Sequence, residues 1–170
     1  MSGDYFCPAY GLSPASRDAV AAWVAAQTWP PATRLKQPSK YHVTCLYSPT
    51  GFRQERNHRW LEAQPQRVFT ARCIAVEMFG SGRGRRPRPV ALRLESPELR
   101  AHAQALMDAA ETELGLPVSR FAGGYRAHLT VAFASRAVEL PAPDLALELG
   151  PLYEHHTLIR KLDAAPRPAR

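Results

Sequence analysis

The spacing of apolar residues predicts two amphipathic helices of closely matched design. Ser13-Pro14 opens an alanine-rich stretch that runs to Trp29, with Ser placed as N-cap and Pro in the first turn. Within it Ala19, Val20, Trp23 and Val24 recur at helical spacing. Ser96-Pro97-Glu98 opens the second, where Leu99, Ala103, Leu106, Ala110 and Leu114 form one apolar stripe and Gly115 supplies the stop. An apolar strand candidate precedes each helix, at residues 5–12 and 90–94, and a second follows it, at 41–47 and 127–133. Thirteen residues separate Trp29 from His42, and thirteen separate Gly115 from His128. The pattern is a β-α-β unit used twice. Residues 68–79 read as a further strand that pairs with the alternating Val90, Leu92 and Leu94 as a hairpin, and residues 54–64, with Trp60 and Leu61, as a short helix linking the halves.

Each unit ends in the same tripeptide, His42-Val43-Thr44 and His128-Leu129-Thr130. Residues two apart on a strand share a face, so each strand presents an imidazole beside a hydroxyl. Two such strands around one pocket supply a proton acceptor, a proton donor and two hydroxyl donors for phosphate oxygens, which suffices for metal-free phosphodiester chemistry. Composition alone would give about 0.3 tripeptides of this form, whereas three occur. The third, His155-His156-Thr157, follows no such helix and is set aside for that reason.

With these motifs the chain resembles the 2H phosphoesterase superfamily, which carries two His-x-[Thr/Ser] motifs on strands of two pseudo-symmetric lobes. The resemblance covers roughly residues 4 to 160. It implies an α+β fold in which two antiparallel sheets, each backed by a helix, enclose an active cleft. It also implies a catalytic set of His42, Thr44, His128 and Thr130. Val131 fits the aliphatic residue that often follows the Thr in this superfamily, while Cys45 departs from it. On a 2′,3′-cyclic phosphate one His would deprotonate water and the other protonate the departing ribose oxygen. On a 3′-5′ oligonucleotide the base would activate the ribose 2′-OH. Either His is compatible with either role.

Composition narrows the partners. The chain carries a formal charge of +7, and Arg83, Arg85, Arg86 and Arg88 cluster in a Gly- and Pro-punctuated loop at the hairpin tip. Arginine forks match phosphate oxygens, so the loop reads as a clamp for phosphates beyond the reacting one and the partner as RNA or a nucleotide. Tyr41, Tyr125 and Arg126 flank the motifs as substrate-binding candidates, the tyrosines for base stacking and Arg126, like Lys40, for phosphate charge. Cys7, Cys45 and Cys73 are odd in number and set among apolar residues, which reads as free buried thiols in a cytoplasmic, reducing setting. No basic segment leads into an apolar run at the N-terminus, and no apolar run could span a bilayer. His155-His156 has no acidic or thiol companions at ligand spacing, so neither a metal nor another cofactor is expected. Residues 1–162 are expected to form one domain without an obligatory protein partner, a monomer, followed by a disordered Pro-rich tail over 163–170. Two other function classes share these features. One is a basic nucleic-acid-binding module without turnover, and the other a nuclease of the same fold that cleaves cyclic 3′-5′ oligonucleotides in counter-defence. A metal-dependent nuclease is disfavoured by the scattered acidic residues.

Overall fold

Both Ser-Pro signals cap helices where the sequence places them. In the computed structural model, which describes residues 5–51, 54–80 and 86–155, α1 spans Pro14–Ala26 and the Ser13 hydroxyl accepts from the Ser16 amide at 3.2 Å. Helix α3 spans Pro97–Ala109, and the Ser96 hydroxyl accepts from the Leu99 amide at 3.4 Å. A π-helical turn, Ala110–Leu114, extends α3 to Gly115, whose φ of 67° is the left-handed stop. Between these helices α2 covers Glu55–Glu62.

Seven strands complete the fold: β1 Pro8–Leu12, β2 Arg34–Leu35, β3 Val43–Thr44, β4 Phe69–Met78, β5 Arg88–Glu95, β6 His128–Ala134 and β7 Ala146–Glu154. The duplicated unit is visible in how they pair. In one half β1 lies between β3 and β7, and in the other β5 lies between β6 and β4, all antiparallel. In each half, therefore, the strand before the helix is central and the motif strand lies beside it. The expectation of two separate sheets needs one refinement, because β4 pairs with β7 and β3 with β6. These ladders join the two halves edge to edge and remove the open edges that separate three-stranded sheets would leave.

Strand β7 has no counterpart in the sequence reading. Leu147 and Leu149 are buried in step, but the next buried residue is Leu152, because Gly150-Pro151 falls where the register against β1 shifts between Tyr10 and Leu12. An interior Pro argues against a central strand except at a bulge, and this is a bulge. Gly150 is required there: its φ is +145°, and a Cβ would lie 2.7 Å from the Arg67 carbonyl oxygen. Helix α1 is fixed to the same strand through the Ser16 hydroxyl, which accepts from the Glu148 amide at 2.8 Å.

Tyr10, Val43, Leu92, Leu129 and Leu152 pack with Val20 and Val24 of α1 and Leu99, Ala103 and Leu106 of α3 in one hydrophobic core. Because strand side chains alternate, burying Val43 and Leu129 there turns the His and Thr on either side of each to the opposite face. Cys7 and Cys45 are buried thiols as expected, whereas Cys73 is half-buried; all three are free. The tail expected over 163–170 lies outside the described residues. Among the described residues no helix is long and apolar enough to cross a membrane.

Candidate active site

The two motifs meet at their centres. Val43 lies directly opposite Leu129 in the antiparallel β3–β6 ladder, so the register brings His42 alongside Thr130 and Thr44 alongside His128. Directly opposed side chains stand about 4.5–5.5 Å apart at Cβ, close enough for all four groups to surround one phosphate. The next strand outward leaves room for it: Ala9 lies opposite Thr44 and Ala91 opposite Thr130, both fully buried.

Each imidazole is held by the same local device. His42 Nδ1 lies 3.0 Å from the Lys40 carbonyl oxygen, and His128 Nδ1 lies 2.9 Å from that of Arg126. A carbonyl only accepts, so Nδ1 carries the hydrogen in both rings, leaving the Nε2 lone pair for chemistry when the ring is neutral. Tyr125, beside the second motif in sequence, donates its hydroxyl to the Thr44 carbonyl at 2.8 Å and so ties the loop before β6 to the β3 motif.

The two histidines differ in surroundings. His42 stacks on His155, ring centroids 3.6 Å apart and planes 27° from parallel. His155 is placed by its amide bond to the Cys7 carbonyl, 2.8 Å, and its Nδ1 lies 3.3 Å from the Tyr153 hydroxyl. Lys36 Nζ approaches His42 Nδ1 to 3.4 Å. Burial, the charge of Lys36 and the neighbouring His155 together push the His42 pKa down to about 3, with the Lys40 carbonyl opposing them. His42 is thus neutral at any ordinary pH. His128 instead contacts aromatics, Phe79 at 4.7 Å and Phe121 at 6.5 Å between centroids. Phe79 and His155 occupy matching places, one two residues beyond the β4 partner of Ala91 and the other two beyond the β7 partner of Ala9. The fold therefore sets one ring against each motif imidazole, apolar in one lobe and titratable in the other.

A cavity of about 330 Å³ opens beside Thr44 and His128. Leu46, Tyr47, Met107, Phe121 and Tyr125 give it an apolar lining, while Gln104, Ser119 and Arg126 add polar groups. Its volume lies near the lower end of the roughly 300–1,000 Å³ typical of small-molecule sites. Arg120 also lines it, but its guanidinium is engaged by Asp108 at 2.7 Å and Glu111 at 2.6 Å.

The β3–β6 register brings the four motif residues together on one face, and Arg126 lines the cavity beside them. Tyr41 does not: at 5% exposure it is part of the core and has no ring face for a base. Tyr125 is 8% exposed and helps to line the cavity, while its hydroxyl is spent on Thr44. Arg88 lies opposite Ala134 at the far end of the β5–β6 ladder from His128, with its guanidinium 3.7 Å from Met78 Sδ. Its place in the ladder follows the hairpin register and keeps it out of the motif cluster. Arg86 is exposed, and Arg83 and Arg85 lie outside the described residues. Sequence reasoning missed Lys36, Phe79 and Phe121, and it set aside His155. The helix-before-motif rule identifies the motif strands; it says nothing of a residue delivered by β7.

Comparison with known proteins finds likeness at the level of structure. No protein-family model matches the chain, and no curated protein sequence matches it. Among solved structures, a phosphoesterase superposes with a TM-score of 0.65 at 21% identity over 90% of this chain and 88% of its own. TT0787 of Thermus thermophilus gives 0.61 at 20% over 87% and 85%, and E. coli LigT complexed with ATP gives 0.61 at 20% over 89% and 87%. The chain therefore has the α+β fold of the 2H phosphoesterases, as its two motifs imply.

Proposed function

We propose that this protein is a metal-independent phosphodiesterase acting on RNA 2′,3′-cyclic phosphate or a related cyclic nucleotide or oligonucleotide. The observation that carries the proposal is the β3–β6 register, which gathers two identically tethered imidazoles and two threonine hydroxyls on one face. On a cyclic phosphate, His42 Nε2 takes a proton from the attacking water while His128 gives one to the departing ribose oxygen. Thr44 and Thr130 donate hydrogen bonds to the non-bridging oxygens as charge builds on them. His42 is the base because its surroundings keep it neutral. The phosphate's own negative charge raises its proton affinity when substrate enters, so it becomes an effective acceptor only in the complex.

The cavity beside His128 supports a nucleotide substrate. Phe121, 59% exposed, gives a base a ring to stack on, and Arg126 offers a cation at the rim. The structure of LigT with 3′-AMP has the same fold at 21% identity, and nucleotide binding in that protein is consistent with this reading. Three free thiols fit a cytoplasmic setting.

A panel of 2′,3′-cyclic mononucleotides, RNA with cyclic-phosphate ends, 2′-5′ oligoadenylate and cyclic di- and trinucleotides, each incubated with the protein in excess EDTA, tests this. Turnover of at least one, with products identified by phosphorus NMR, is the expected result. Binding without turnover would indicate a non-catalytic module, and turnover abolished by EDTA a metal-dependent enzyme.

A further inference from the structure

Lys36 lies just beyond β2, its amide bonded to the Val131 carbonyl at 2.8 Å, which continues the β2–β6 pairing toward the motif. Its side chain is half-buried and its ammonium reaches the edge of the His42 ring. His42 Nδ1 gives its hydrogen to the Lys40 carbonyl and has no lone pair for Lys36 to use, so the 3.4 Å approach is not a favourable hydrogen bond. Among the described residues no carboxylate lies within ion-pair distance of Lys36. The groups facing it and His42 are Cys7 just before β1, Lys40 before β3, His128 on β6 and His155 just after β7. Cys7 is itself a protonated thiol, since burial pushes its pKa up to about 11. A partly desolvated cation without a counter-charge is costly, and an anion entering the cleft would remove that cost.

We propose that Lys36 is a further catalytic residue, whose ammonium binds a non-bridging oxygen of the scissile phosphate on the His42 side of the cleft. This rests on the phosphodiesterase reading above and adds to it a charged group that neither motif supplies. The two threonines give neutral donors; Lys36 gives the full positive charge that a phosphorane-like transition state calls for. It also couples binding to base strength: once the phosphate neutralises Lys36, His42 no longer faces an uncompensated cation, and one of the causes that lower its proton affinity, second to burial, is removed.

Burial lowers the Lys36 pKa to about 8, so the ammonium can be followed directly by its 13Cε resonance, identified by its loss in Lys36→Met. The expected midpoint near 8 should move upward by about one unit or more in saturating inorganic phosphate, because a bound anion favours the charged form. Lys36→Met should lower kcat/KM on the best substrate of the panel by about 10²-fold, the usual cost of removing one donor to developing charge. Lys36→Arg should stay within about tenfold of wild type, and melting curves confirm that both variants fold. If phosphate leaves the Lys36 titration unmoved and Lys36→Met turns over like wild type, Lys36 is not part of the machinery. If no substrate is turned over but phosphate still shifts Lys36, the anion site stands and the phosphodiesterase reading is what fails.

Discussion

A histidine can do acid or base chemistry only if one ring nitrogen is committed and the other is left to the substrate. His42 and His128 meet that condition through the same short bond to the carbonyl two residues back. Replacing either by Ala should lower kcat by about 10²-fold or more, the usual worth of a positioned acid or base, measured under saturating substrate. His155 has a different role, since it holds the His42 ring by stacking at 3.6 Å. His155→Ala should lower kcat by about tenfold through loss of orientation, more than the sequence context would suggest, while His155→Phe, which keeps a stacking face, should recover most of it. Wild-type kcat in His155→Ala would show that the stacking is incidental. Thr44→Ser and Thr130→Ser keep a donor and should keep much activity. Either Thr→Val should lose roughly 10- to 10³-fold, for want of a hydrogen bond in the transition state, and equal rates for the Thr and Val enzymes would remove the hydroxyls from the mechanism.

At the scale of elements, the strongest signals are those in which local chemistry and packing agree. Ser96-Pro97 starts α3 because the hydroxyl satisfies an otherwise unpaired amide and Pro needs none. Of the positions that repeat as an apolar stripe, Leu99, Ala103 and Leu106 of α3 and Ala110 of the π-helical turn are buried, while Leu114 is half-buried. Strand β7 shows the opposite case, since it crosses the middle of the sheet with a Gly-Pro in its interior. Gly150→Ala should destabilise the protein by about 2 kcal/mol or more, combining a positive φ with a clash against Arg67 backbone. A denaturant midpoint equal to wild type would mean that the bulge relaxes. Since β7 carries Tyr153 and His155 follows it directly, the same variant should also disturb the His42 side of the site.

Over the whole molecule the pseudo-two-fold is one of topology, and the chemistry departs from it. The β1–α1–β3 half surrounds its histidine with Lys36 and His155, while the β5–α3–β6 half surrounds its own with Phe79, Phe121 and an apolar cavity. Such a division suits a substrate with a charged reacting end and a flat apolar base. The +7 charge acts at longer range, and four of its arginines fall between positions 83 and 88. Replacing all four by Ala should leave kcat on a mononucleotide cyclic phosphate nearly unchanged. On an oligonucleotide it should raise KM and flatten the salt dependence of binding by about 0.7 log units per log salt for each phosphate that an arginine no longer neutralises. An unchanged slope would leave the cluster as solvated surface.

The sequence by itself determined what is local or periodic: the two capped helices, the hairpin strands, the duplicated β-α-β order and the His-x-Thr strands. Each depends on residues within about a dozen positions of one another, which spacing can display. Only the tertiary structure decided the rest. The β3–β6 register pairs residues 43 and 129, and no local pattern encodes that pairing. Tyr41 looked available beside its motif, yet strand alternation with His42 exposed to the cleft turned it into the core. Lys36 and His155 came to the site from a two-residue strand and a bulged one, too short or too irregular to show a period. Their approach to His42 follows from how the sheet joins its two halves, and with burial it gives one of two similar histidines surroundings that the other lacks.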